Sequence, residues 1–214
     1  MIKDRLNRIL MLTGILASIL NILIIITLDF TVPDYNSMTQ YVSEFGIIPG
    51  IVSRIAQTWW LINGTVLMLF ALALNNTIKK SGKLSFLGPL FIFLYGLLDS
   101  VGSVVFPMDA AEDTLIGMLH MAVSFLGITA VIFSPIALIG RIKKDPYWVR
   151  LVRLAWTAQI FFLLIYVVSV LAFAEICLSR YFGLLQRIFI YAADIWIVIL
   201  GVYALKYQPV VGEN

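Results

Sequence analysis

"ILMLTGILASILNILIIITL", residues 9–28, carries no charged side chain over twenty positions. A helix rises about 1.5 Å per residue, so this stretch reaches across roughly 30 Å of hydrocarbon. The basic segment before it, "MIKDRLNR" (1–8), gives it the look of a secretory signal. The apolar run is too long for a signal core, however, and no A-x-A-like cleavage site closes it. The expectation is an uncleaved first membrane span.

Five further stretches of the same kind follow, at about 55–74, 84–106, 114–140, 151–173 and 183–205. The whole chain is 61% hydrophobic and 13% charged, with a mean hydropathy of +0.99. Soluble domains carry roughly 25% charged residues, so water is not the main solvent here. No linker or low-complexity segment divides residues 1–214, which are read as one domain. The predicted fold is an all-α integral membrane protein, a six-helix transmembrane bundle. The fourth stretch is long enough to tilt or to run past the bilayer. Pro89 and Pro135 fall inside spans, where neighbouring helices can satisfy the backbone groups they free.

Orientation follows from the basic residues flanking the spans. Lys3, Arg5, Arg8, Lys79, Lys80, Lys83, Arg141, Lys143, Lys144, Arg150, Arg153 and Lys206 lie on one side, twelve of the fifteen in the chain. The other side keeps Arg54, Arg180 and Arg187 among Asp29, Asp34, Glu44, Asp109, Glu112, Asp113 and Glu175. Both termini are therefore expected in the cytoplasm, and the simplest location is the cell membrane. Dividing the chain into three spans plus three would give halves of opposite orientation, as in inverted-repeat transporters. "FLYGLLDSV" (93–101) and "FIYAADIWI" (189–197) share only a tyrosine shortly before an aspartate, too little to establish a repeat.

The first outer loop, about 29–52, is the longest. Within "PDYNSMTQYVSEFG" (33–46), Met38, Tyr41, Val42 and Phe45 recur at helical spacing, with Ser43 and Glu44 off that face. The pattern predicts a short helix at the outer interface, stopped by Gly46. "SEFG" here, "VVFPMD" (104–109) at the end of span three and a histidine early in span four are similar to the DUF998 family. That family comprises six-span membrane proteins, chiefly from bacteria and archaea, without an assigned activity. The resemblance covers nearly the whole chain and supplies no catalytic residues. It extends more distantly to the Frag1/DRAM/Sfk1 type of eukaryotic membrane protein.

A charge at mid-bilayer costs about 2.5–3.5 kcal/mol on insertion scales, so each one needs a partner, a cavity or water. Counting along the helices places Asp99 roughly 10 Å, His120 roughly 9 Å and Asp194 roughly 16 Å below the outer surface. Arg54 and Arg187 lie near span mouths, while the cytoplasmic halves are nearly free of ionisable groups. The expectation is an outward-facing polar pocket lined by Arg54, Asp99, His120, Arg187 and Asp194, closed over by Glu44. Asn63, Gln57 and Gln186 would add hydrogen bonds. A lipid or other amphiphile with an anionic head could exchange for one of the internal ion pairs.

Plainer readings stand beside this one. Both arginines can snorkel to headgroups, the aspartates can serve interhelical hydrogen bonds, and His120 can be a satisfied core histidine. Asp109, Glu112 and Asp113 suit a solvated loop and a helix N-terminus. Trp59, Trp60, Tyr147 and Trp148 resemble interfacial belt residues.

The single histidine rules out a three-histidine zinc site or bis-histidine haem, and the single cysteine, Cys177, rules out an internal disulfide. No metal, cofactor or phosphate-cradling loop is expected, and no nucleic acid, since topology accounts for the basic residues. Three functions remain open. The first is amphiphile binding, with membrane lipids as partners. The second is small-solute or proton-coupled transport through Asp99, His120 and Asp194, for which six spans would need a homodimer. The third is a membrane hydrolase or transferase using His120 with an acid or with Ser100 or Ser103. No recognised nucleophile motif supports this last reading.

Overall fold

The computed structural model describes residues 2–78, 86–109, 114–143 and 146–207. Lys79, Lys80, Lys83, Glu112, Asp113 and Lys144, used above to read orientation and loops, lie outside the described residues. Among the described residues, six helices are long and apolar enough to cross a membrane. They are α1 (Ile2–Thr31), α2 (Ile51–Thr77), α3 (Leu87–Val105), α4 (Leu115–Ile142), α5 (Val149–Phe173) and α6 (Phe182–Lys206). Each predicted span falls within its helix or within three residues of its ends.

Each helix packs on its neighbours in sequence, and α1 closes the ring against α6. The joint between α1 and α6 is close: a side chain on Gly201 would meet Ile15 at 2.6 Å. Lipid-length helices leave much of their surface apolar and outward-facing, and α1 shows Leu16 and Leu23 more than half exposed. In a bilayer such residues contact acyl chains rather than water. The end of the bundle carrying residues 32–50 is called distal, and the end carrying the start of α1 and the close of α6 terminal.

The two intramembrane prolines are accommodated differently. Pro89 sits in the first turn of α3, where its missing N–H has no intrahelical partner to lose. Pro135 interrupts α4 in mid-course, and the amide of Ile136 donates to Oε1 of Gln159 on α5 at 3.1 Å. A neighbouring helix thus supplies the acceptor, as expected for a proline at membrane depth.

α3 is not α-helical throughout. Leu87–Leu94 is regular, Tyr95–Val101 is a π-helix, and Gly102–Val105 returns to α geometry. Such bulges insert a residue and re-aim the following side chains. Asp99 lies within it. Facing it, Gly127 of α4 lets the two backbones meet, because a Cβ there would sit 2.6 Å from the Asp99 nitrogen. On the other side Gly64 of α2 meets Gly96, where an added Cβ would be 2.5 Å from the Gly96 carbonyl oxygen.

The first long loop does contain a short helix, a 3-10 turn at Val42–Gly46. Its apolar residues do not lie along a surface. Val42 and Phe45 are buried with Ile25, Leu28 and Ala56, so the turn plugs the distal end of the bundle. Three-residue periodicity points the Val42 and Phe45 side chains the same way, and the space between α1, α2 and α6 takes them up.

Trp148 is fully buried beside Tyr147, Tyr203 and Tyr207 at the terminal end, facing protein and not lipid. Trp59 donates its indole N–H to Asn21, and Trp60 packs beneath Gly46, so these two also face the protein.

Candidate functional site

Beneath the distal plug lies a polar cavity of about 50 Å³. α1, α2, α3, α4 and α6 line it with Asn21, Asn63, Tyr95, Asp99, Ser100, Ser103, Ser124 and Gln186, and Val42 and Ser43 roof it. Asp99 is the one ionisable carboxylate among these lining residues. Among the described residues no hydrogen bond or ion pair reaches it. Two lining serines, Ser103 and Ser124, approach each other at 3.3 Å. Asn63 is 3% exposed, and its Oδ1 has no hydrogen-bond partner.

Asn21 connects this cavity to a second buried acid. Its Oδ1 accepts from Trp59 at 2.9 Å, and its Nδ2 donates to Oδ2 of Asp194 at 2.8 Å. Asp194 is fully buried on α6, with Oδ1 unpartnered, and does not line the cavity.

A second, larger cavity of about 470 Å³ opens between α4, α5 and α6. Phe125, Ile128, Tyr166, Val170, Phe173 and Phe189 make most of its wall apolar. His120 lines it at the distal end, 4% exposed, with Nδ1 2.9 Å from the carbonyl oxygen of Phe106. A carbonyl only accepts, so Nδ1 carries the proton and the neutral ring's Nε2 is an acceptor. Ser43, Ser124, Ile128 and Gln186 line both cavities and form their common wall.

The six residues expected to share one pocket do not meet in one place. Asp99 lines the polar cavity and His120 the apolar one. Asp194 stands behind Asn21. Glu44 does lie in the distal plug, but it accepts from the Tyr41 amide at 2.7 Å and from Gln40 Nε2 at 2.9 Å, closing its own turn. Arg54 is exposed on the first turn of α2 and lines neither cavity.

Arg187 is 4% exposed and heavily engaged. Nε and Nη2 bind Asp29 at 2.6–3.1 Å, Nη2 also donates to the Tyr35 hydroxyl at 2.7 Å, and Nη1 donates to the carbonyls of Gln40 and Gly183. Tyr35 in turn donates to the Tyr41 carbonyl at 2.6 Å. Burial pushes its phenol up to about 12 despite the adjoining guanidinium. Of the three further helpers expected, Asn63 and Gln186 line cavities, while Gln57 donates to the Gly46 carbonyl at 2.7 Å.

The sequence reading overlooked Asn21, Ser124 and the arginine's partner. Asn21 is a single amide in the apolar run that opened the chain, and its depth matches that of the aspartates. Asp29 was read only as part of a charge balance, although an acid at the end of a span is a ready counterion for Arg187. Ser124 gave no periodic signal. Among the described residues no group of three or more His, Cys, Asp or Glu side chains gathers as a metal site.

Residues 15–203 match the family model described as a protein of unknown function, DUF998. No curated protein and no solved structure matches the chain, and the more distant Frag1/DRAM/Sfk1 likeness is not shown.

Proposed function

The chain belongs to the DUF998 family of multi-span membrane proteins of unknown function, and from that premise we propose that it binds an amphiphile at the distal end of its bundle. The apolar tail occupies the cavity between α4, α5 and α6, and the polar head reaches the wall of Ser43, Ser124 and Gln186. One observation carries this reading: an apolar hollow large enough for part of an acyl chain adjoins a polar one through shared residues. Ligand sites are usually apolar clefts of about 300–1,000 Å³ with a few converging polar groups.

The head differs from the anionic one that composition suggested. Arg187 is held by Asp29 and two carbonyls, and Arg54 lies away from both cavities. What faces the head is Asp99, serine hydroxyls and the acceptor nitrogen of His120, a set that favours hydrogen-bond donors. The distal end faces outward in this reading, because most basic residues flank the terminal end. Transport finds less support, since both cavities lie toward the distal end. Hydrolysis finds less still: Ser100 and Ser103 line the polar cavity while His120 lines the apolar one, and Ser103 lies against Ser124.

Mass spectrometry of the gently extracted protein tests the proposal. An amphiphile should copurify with the parent chain, and Val170→Trp, which fills the larger cavity, should reduce its occupancy at least tenfold while the fold persists. Equal recovery from both proteins would overturn the reading.

A further inference from the structure

We propose that the polar cavity is a binding site for a small monovalent cation, held by Asp99 and a cage of neutral oxygens. An ionised carboxylate inside a membrane bundle needs a compensating charge, and one with no protein partner invites an external one. Asp99 sits in a π-helical segment that turns it toward a cavity instead of a neighbouring helix. Arg187, the cation that the bundle does bury on the distal side, is spent on Asp29.

The second, independent observation is Asn63. Its side chain lines the same cavity, almost fully buried, with Oδ1 unpartnered. A buried amide oxygen left open is costly unless something donates to it or coordinates it. Ser100, Ser103, Ser124 and Tyr95 add hydroxyl oxygens around the same space. One carboxylate among neutral oxygens is a hard-donor set suited to an alkali cation or an ammonium group, and unlike the nitrogen and sulfur sets of transition metals.

Size narrows the class. The cavity offers about 50 Å³ to the centres of water-sized groups, where one water needs roughly 10–15 Å³ on the same measure. A sodium ion with a water, or a primary ammonium, fits that space. The inference stands without a tail in the larger cavity. The same ammonium chemistry could nonetheless come from a free ion or from the head of a bound amine.

The experiment is thermal unfolding of the full chain in neutral detergent, stripped of lipid, at constant ionic strength. Sodium chloride is compared with N-methylglucamine chloride. At about a hundred times its dissociation constant, sodium should raise the midpoint by roughly 5–10 °C. Asp99→Asn should unfold at least as high as the parent in N-methylglucamine and show no sodium effect. Asn63→Leu, which removes an already unpartnered oxygen, should weaken the sodium effect without loss of fold. Exposed Arg54→Gln should keep it.

Dodecylamine and dodecanol separate the sources. Stabilisation by the amine alone, competitive with sodium, assigns the site to a bound head group; a sodium effect without an amine effect assigns it to the free ion. If neither cation stabilises the parent, or if sodium stabilises Asp99→Asn and Asn63→Leu equally well, the site does not exist. Loss of amphiphile copurification would leave these outcomes unchanged, so failure of the two proposals can be told apart.

Discussion

Arg187 illustrates how a charge near the membrane interior is made tolerable. Its guanidinium forks onto Asp29 and fills its remaining donors with Tyr35 and two carbonyls, leaving it 4% exposed. Removing one partner of a buried pair strands the other, which costs about 3–5 kcal/mol. Arg187→Ala is therefore expected to destabilise by that amount, measured by chemical denaturation in detergent. Asp29→Asn keeps an acceptor for the guanidinium and should cost less. Equal, negligible losses would mean that the pair is ornamental. Arg141 follows the same logic at the terminal end. Only 2% exposed, it donates to Asn75 Oδ1 and to the carbonyls of Asn75 and Ile78, at the C-terminus of α2. A cation suits the negative end of a helix dipole. Arg141 thus pins one helix to another.

The middle of α3 is where local structure and function meet. The π-helical turn, the contact of Gly64 with Gly96 and the approach of Gly127 to Asp99 all lie within one bundle layer. Each glycine is required because backbone, not a movable side-chain tip, occupies the space. Gly127→Ala should push α4 from α3 at a cost of about 1–3 kcal/mol, read as a lowered denaturation midpoint, and should displace Asp99 as well. Deleting Leu98 should restore α geometry and swing Asp99 from the cavity, abolishing the sodium effect while the helical content read by circular dichroism persists. A retained sodium effect would show that the π-turn does not set the aspartate's aim. The sequence held little warning of this: a π-turn lacks a residue signature, and "LYGLLDSVG" (94–102) reads as an ordinary apolar helix.

Across the whole molecule, six helices enclose paired cavities near one end and a dry aromatic cluster at the other. Which end meets the outside can be tested with the chain's own chemistry. Cys177, its one cysteine, is exposed between α5 and the 3-10 turn Ser179–Tyr181 at the distal end. A membrane-impermeant maleimide should label it on intact cells as fully as after permeabilisation. Labelling that needs permeabilisation would invert the orientation and close the outward route to both cavities.

The number of helices, their lengths and their membrane character were legible in the sequence, because hydrocarbon thickness and backbone hydrogen bonding constrain apolar stretches residue by residue. The positions of Asp99, His120 and Asp194 along their helices could be counted from the sequence as well. Rotation about each helix axis was not. Whether Arg187 turns toward Asp29 or a ligand, whether Asp99 and His120 share a space, and whether Val42 lies on a membrane or plugs a bundle depend on which faces meet. That is decided by close packing among all six helices, through glycines and a π-turn whose effect exists only in the contact.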